Sequence, residues 1–184
     1  MQANTLPDPR LGPAVTLAGV RVLMLDVDGV LTDGQLYLGD SGEQIKAFHS
    51  RDGHGLRLWI EHGGDVAILT GRESNVVEIR CADLGIKHLL QGRRDKGAAF
   101  EELLFKGGWN SAEVAFVGDD LVDLPAMRRA GLAIAVADAA AEVRSAAHFV
   151  TTASGGKGAV REVCEALLKA KGAWTQCVAD AWTT

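Results

Sequence analysis

Two aspartates two positions apart, Asp26 and Asp28, follow the apolar run Val22-Leu23-Met24-Leu25 and lead into Gly29-Val30-Leu31-Thr32. Desolvating a carboxylate costs on the order of several kcal/mol unless it is paired or bound to a metal. Side chains at i and i+2 share one face of a strand, so both carboxylates point to one place at its carboxyl end. Three further features could join them: Thr70-Gly71-Arg72, Lys96, and Gly118-Asp119-Asp120-Leu121-Val122-Asp123. Several carboxylates without His or Cys favour a hard, oxygen-preferring cation such as Mg²⁺. A metal and a lysine together neutralise a phosphate and the charge developing on it. A hydroxyl and a backbone amide after a strand add hydrogen bonds to phosphate oxygens. An aspartate in line with phosphorus could attack it to give an aspartyl-phosphate. A second could protonate the leaving oxygen and then deprotonate the hydrolytic water. Each residue also has a plainer reading. The aspartate pair suits a turn, Thr70 an ST-turn, Lys96 a solvated helix face, and Asp119, Asp120 and Asp123 a helix cap.

Positioning these groups together requires strands that end at one edge. Apolar runs alternate with amphipathic stretches, which predicts an α/β fold: a doubly wound, Rossmann-like, mostly parallel sheet with no large cap domain. Strands are expected at Arg21–Asp26, Asp65–Leu69, His88–Gln91, Val114–Val117, Leu132–Val136 and His148–Val150. Helices are expected at Gly55–Glu61, Glu73–Leu84, Lys96–Phe105, Leu124–Ala130, Ala139–Ala146 and Ala159–Ala170. The chemistry-bearing residues then fall at successive strand ends, where open sheets bind ligands. A projecting β-hairpin over about 34–49 interrupts the rhythm, with its turn at Gly39-Asp40-Ser41-Gly42. Such a ribbon exposes pairing edges, which favours packing against copies of itself; the competing reading is a ribbon folded back onto its own domain.

The 184 residues suffice for one domain with a proper core. A net charge of −5 argues against non-specific nucleic-acid binding. No run reaches membrane-spanning length, so no membrane association is expected. Cys81, Cys164 and Cys177 lack metal-like spacing and read as free thiols in a reducing, cytoplasmic setting. Residues 1–16, with Pro7, Pro9 and Pro13, read as a flexible leader, residues 17–172 as the domain, and residues 173–184 as a tail. Whether Trp174 and Trp182 in that tail are ordered stays open. The Gly155-Gly156-Lys157-Gly158 loop precedes the last clear helix.

The motifs Asp26-Val27-Asp28-Gly29-Val30-Leu31-Thr32, Thr70, Lys96 and Gly118–Asp123 resemble, in order, those of the haloacid dehalogenase-like phosphohydrolases. Phe48-His49-Ser50-Arg51-Asp52-Gly53, Thr70-Gly71-Arg72 and Gly155-Gly156-Lys157-Gly158-Ala159-Val160-Arg161-Glu162 resemble the branch acting on 3-deoxy-D-manno-octulosonate 8-phosphate, in lipopolysaccharide precursor biosynthesis. The likeness runs from about Val20 to Gly172. It implies Asp26 as nucleophile, Asp28 as acid/base, and Thr70 and Lys96 as further catalytic groups. It also implies Mg²⁺ held by Asp26, the backbone carbonyl of Asp28, and Asp119. Substrate contacts implied are Asp28, His49, Ser50, Arg51, Asp52, Gly53, Arg57, Arg72, Arg80, Lys96 and Asp120. A homotetramer is implied, with hairpins and glycine-rich C-terminal tails contributing in trans.

Two departures from that branch matter. His49 stands where Asn is expected, leaving hydroxyl contacts there open. Relatives acting on nine-carbon sugar-acid 9-phosphates tend to carry Glu after the Thr-Gly pair, so Arg72 favours the eight-carbon substrate. For Arg57 and Arg80 a solvated helix face is the competing reading. Receiver domains that store an aspartyl-phosphate are a more distant alternative. The adjacent acid/base at Asp28 predicts turnover instead of storage.

Overall fold

The computed structural model describes residues 1–3, 16–40, 42 and 44–183. In chain order the elements are β1 (Gln2–Ala3), β2 (Val22–Leu25), β3 (Tyr37–Leu38), β4 (Gln44–Ile45), α1 (Ser50–Glu61), β5 (Asp65–Leu69), α2 (Asn75–Leu84), β6 (His88–Leu90) and α3 (Lys96–Gly107). They continue with β7 (Val114–Gly118), α4 (Leu124–Met127), β8 (Leu132–Ala135), α5 (Ala141–Ala146), β9 (Phe149–Val150), α6 (Ala159–Ala170) and α7 (Trp174–Asp180).

The main sheet runs β1-β9-β8-β7-β2-β5-β6, parallel except for antiparallel β1 at the edge. β2 lies between β5 and β7 and all four of its residues are buried, which explains the uninterrupted apolar run Val22–Leu25. The chain leaves β2 toward β5 and later adds β7 on the opposite side. β2 is therefore the point where strand order reverses, and a crevice opens at its carboxyl end. With this strand order, the right-handed crossovers that parallel strands adopt put α1 and α2 over one face and α3, α4 and α5 over the other. α6 packs back onto α1.

The expected doubly wound parallel sheet is present, with differences that have physical causes. α1 begins at Ser50, five residues ahead of the expected Gly55, although glycine disfavours helix interiors. Packing decides it: a Cβ on Gly55 would come within 3.0 Å of Arg161 on α6. α7 lay beyond the expected helices. Trp174 rests under Arg161 and Lys169, at 5.3 and 5.2 Å from ring centroid to cation, and Cys177 is buried. Trp182 is exposed.

The leader expected over 1–16 is not loose at its start, because Gln2 and Ala3 pair with Val150 and Phe149. Its proline-bearing part lies outside the described residues. β3 and β4 form the expected ribbon, pairing Tyr37 with Ile45 and Leu38 with Gln44; turn residue Ser41 lies outside the described residues. Leu38 and Ile45 are 66% and 65% exposed. All three cysteines are free and buried. Among the described residues no helix is long and apolar enough to cross a membrane.

The Gly155–Gly158 loop, expected to reach a neighbouring subunit, packs on its own chain. Gly156 N–H donates to Val30 O at 2.9 Å and Gly155 N–H to Asp138 Oδ1 at 2.9 Å. A Cβ on Gly155 would sit 1.7 Å from Gly29 O, so only glycine fits against the turn that follows β2.

Candidate active site

The carboxyl ends of β2, β5 and β7 are level, since Leu25 pairs with both Ile68 and Val117. Asp26 N–H donates to Val117 O at 3.1 Å, extending the ladder one residue and anchoring the first carboxylate. Thr70 leaves β5 beside it, with its N–H on Leu90 O at 3.0 Å. Asp119 and Asp120 leave β7. Asp95 caps α3 by accepting from Ala98 N–H at 3.0 Å, which starts the helix at Lys96.

Lys96 is 2% exposed and its ammonium lies 2.7 Å from Asp26 Oδ2 and 2.6 Å from Asp123 Oδ1. The other Asp123 oxygen accepts from Asp119 N–H at 2.9 Å and Asp120 N–H at 3.2 Å. Asp123 therefore both closes the turn after β7 and orients Lys96. It was expected only as part of a motif, and its place four residues beyond Asp119 is the signal for that second role.

Oxygens of Asp26, Asp119 and Asp123 lie within 4.8 Å of one another. Three carboxylates against one ammonium leave two negative charges uncompensated if all ionise. Burial pushes the Asp26 carboxyl up to about 6, with Asp123 adding to the rise and Lys96 opposing it. Burial, then Asp123 and Asp26, push Asp119 up to about 8. For Lys96 burial works to lower the pKa, but the two facing carboxylates outweigh it and hold the ammonium above its ordinary range.

A divalent cation fits this donor set. Asp26 Oδ1 and Asp119 Oδ1 are buried and have no hydrogen-bond partner, whereas both Asp123 oxygens are engaged. Two unpartnered carboxylate oxygens in a site short of positive charge suit an oxygen-preferring ion.

The crevice is a cavity of about 520 Å³ lined by Asp26, Asp28, Thr70, Arg72, Lys96, Asp119 and Asp120 among the expected residues. Gly34, Leu36, Gly71, Arg93, Arg94 and Val122 also line it.

A haloacid dehalogenase-like hydrolase family profile matches residues 74–163. The chain is 52% identical to 3-deoxy-D-manno-octulosonate 8-phosphate phosphatase of Escherichia coli strain K12 over 83% of its length and 81% of the relative's. The chain belongs to the haloacid dehalogenase-like hydrolases. Its fold matches the crystal structure of 3-deoxy-D-manno-octulosonate 8-phosphate phosphatase from Yersinia pestis with a TM-score of 0.85, at 48% identity and 86% coverage of each chain. The Moraxella catarrhalis phosphatase of the same name, crystallised with magnesium ion, phosphate ion and a KDO molecule, gives a TM-score of 0.87. That match has 41% identity and covers 89% of this chain and 94% of the other.

Other expected substrate contacts of this haloacid dehalogenase-like hydrolase stand away from the crevice of their own chain. Asp52 is buried and accepts from Arg161 N–H at 2.8 Å and Gly158 N–H at 3.3 Å, so it caps α6. Burial raises its pKa against those backbone bonds. Arg57 donates to Asp83 O at 2.8 Å and Oδ1 at 3.1 Å, and Arg80 to Asp83 Oδ2 at 2.7 Å. Gly53 backs onto Arg80, His49 stands at the N-cap position of α1 without a side-chain capping bond, and Ser50 and Arg51 are exposed on that helix's first turn. The cations Arg93 and Arg94 in the crevice lining were missed, and so was Lys46, just after β4, which pairs with Asp28 Oδ1, while Arg72 Nε stands 3.8 Å from Asp28 Oδ2.

Proposed function

We propose that this chain is a Mg²⁺-dependent phosphatase that releases phosphate from 3-deoxy-D-manno-octulosonate 8-phosphate, in lipopolysaccharide precursor biosynthesis. The observation carrying this reading is the buried Asp26 held by Lys96 beside two unpartnered carboxylate oxygens, at the sheet's reversal point. The relatives above, one of them crystallised with magnesium, phosphate and KDO, support the substrate.

Asp26 attacks phosphorus, the phosphorus–sugar oxygen bond breaks, and its electron pair stays on the departing oxygen. Asp28 donates a proton to that oxygen, leaving an alcohol and an aspartyl-phosphate. Water then attacks phosphorus and passes a proton to Asp28 while the Asp26 oxygen–phosphorus bond breaks, its electron pair returning to Asp26, so that phosphate is released and both carboxyl groups are restored. Lys96 and Thr70 offer an ammonium and a hydroxyl to the phosphoryl oxygens. Side-chain oxygens of Asp26 and Asp119, with the Asp28 carbonyl, would hold Mg²⁺, which supplies charge neutralisation at the phosphoryl group. Arg72 lines the crevice and can grip a carboxylate with two parallel bonds.

The finer organisation belongs to the same proposal. Hairpins of four copies pack together into a homotetramer, supported by exposed Tyr37, Leu38 and Ile45. Ser50, Arg51, Arg57 and Arg80, set off from their own crevice, would then serve a neighbour's, with Asp52 and Gly53 buried behind them as support. Of the two trans contributions expected, the hairpin's is the one the surface supports, since the glycine-rich loop and α7 lie on their own chain. Residues 17–172 act as the catalytic domain. Three buried free thiols suit a cytoplasmic setting.

A phosphate-release screen across sugar-acid phosphates, with and without Mg²⁺, tests this reading. The eight-carbon 8-phosphate should give the highest kcat/KM and EDTA should abolish turnover until Mg²⁺ is restored. A preference for a nine-carbon 9-phosphate, or full metal-free activity, would overturn it.

A further inference from the structure

Lys46 is a buried cation that the chemistry above leaves without a task. Its side chain is 2% exposed although it follows a ribbon whose apolar residues are largely in solvent. A buried ammonium is costly without a partner, and this one finds the Asp28 carboxylate, contacting Oδ1. The hairpin thus reaches back into its own catalytic centre.

The two oxygens of Asp28 have different surroundings. Oδ1 faces Lys46, which does not line the crevice, whereas Oδ2 is 3.8 Å from Arg72, which does. One oxygen is tied into the wall, and the other is turned toward the space a substrate would fill. A carboxyl group that must pass a proton to a departing oxygen needs one defined oxygen in reach of it.

We infer that Lys46 is a positioning residue for the acid/base step: by gripping Asp28 Oδ1 it aims Asp28 Oδ2 at the ester oxygen of the substrate. This rests on the assignment of Asp28 as acid/base. Proton flow is unchanged, from Asp28 Oδ2 to the departing oxygen and back from water, and Lys46 neither gives nor takes a proton. Because Lys46 sits at the root of β4, the same contact ties the hairpin to the chemistry.

The dependence on leaving group separates this role from a merely structural one. A sugar alkoxide needs a proton as it leaves, whereas p-nitrophenolate does not. Single-turnover release of the leaving group, with Mg²⁺ bound, should be measured for Lys46→Met and Lys46→Arg on both esters. For Lys46→Met the sugar-acid phosphate should react about 10-fold or more slowly, a fraction of the full value of general acid catalysis. The p-nitrophenyl phosphate rate should change by less than about 3-fold; it doubles as the check that the site is assembled. Lys46→Arg keeps the charge on a longer, differently shaped group and should show the same selectivity with a smaller loss. Equal losses on the two esters in either variant, or no loss on the sugar-acid phosphate, would overturn the inference. If the wild type instead prefers another alkyl phosphate, the proposed substrate fails while the leaving-group comparison is made with that ester.

Discussion

Asp26 and Asp28 are two positions apart in the chain and live in different electrostatic settings. Asp26 is buried against Lys96, with Asp119 and Asp123 close by, and burial with Asp123 lifts its carboxyl up to about 6. Asp28 stands at the crevice between Lys46 and Arg72, a cation at each oxygen. Too much negative charge gathers around the first and too little metal-free compensation is available, which is what a divalent cation and a phosphoryl group relieve. The second is held at its two oxygens by cations from two separate segments, one after β4 and one after β5, which fixes the orientation of its carboxyl group. Identical side chains acquire different work from what the fold brings to them.

The Asp26 corner should fail completely and the Asp28 corner selectively. Asp26→Asn removes the nucleophile and should lower phosphate release by about 10⁴-fold or more with either ester. Residual turnover near wild type would end the distinction between the two corners. Asp28→Asn should slow the sugar-acid phosphate by about 10²–10⁴-fold. In its first step, p-nitrophenyl phosphate should lose far less, and an equal loss on both would mean Asp28 is not the proton donor.

The smallest effect sharpens the charge argument at Asp119. Its folded pKa is raised to about 8, so the protonated form is the one the metal-free fold prefers. The stability this group lends is complete below an ordinary carboxylate pKa and is lost as pH rises toward 8. At neutral pH, Asp119→Asn should therefore raise metal-free stability by on the order of 1 kcal/mol after allowance for solvent screening. That is about 2–4 °C in Tm for a domain of this size. The gain should vanish as pH falls toward 4 and should come with lost Mg²⁺ binding. Calorimetry of the two metal-free proteins across that range checks both signs, and a lower Tm for the variant at neutral pH would contradict them.

The parts of the site legible in the sequence are those encoded locally. A carboxylate after an apolar run, a Thr-Gly pair after another, and a Lys opening a helix each carry a signal within a few residues. The fold brings Asp26, Asp28, Thr70, Lys96 and Asp119 together at one crevice. What stayed hidden depends on distant chain segments. Nothing near Asp52 reveals that it caps α6, more than a hundred residues away. Nothing near Gly55 shows that α6 needs its missing side chain, so α1 looked shorter than it is. Lys46 reads as one more polar residue on an exposed ribbon, and only the turn of the hairpin back toward Asp28 buries it. Gln2–Ala3 is too short to carry a strand pattern, and its partner β9 lies at the far end of the chain.

The division of work between the two aspartates can be read directly in Asp28→Asn treated with p-nitrophenyl phosphate and Mg²⁺, then quenched in acid. With a leaving group that needs no proton, Asp26 should still be phosphorylated, and without a base the water step should stall. Peptide mass spectrometry should then find one phosphoryl group, on the peptide holding Asp26. A protein that turns over yet carries no phosphoryl group, or carries it on another residue, would contradict the account.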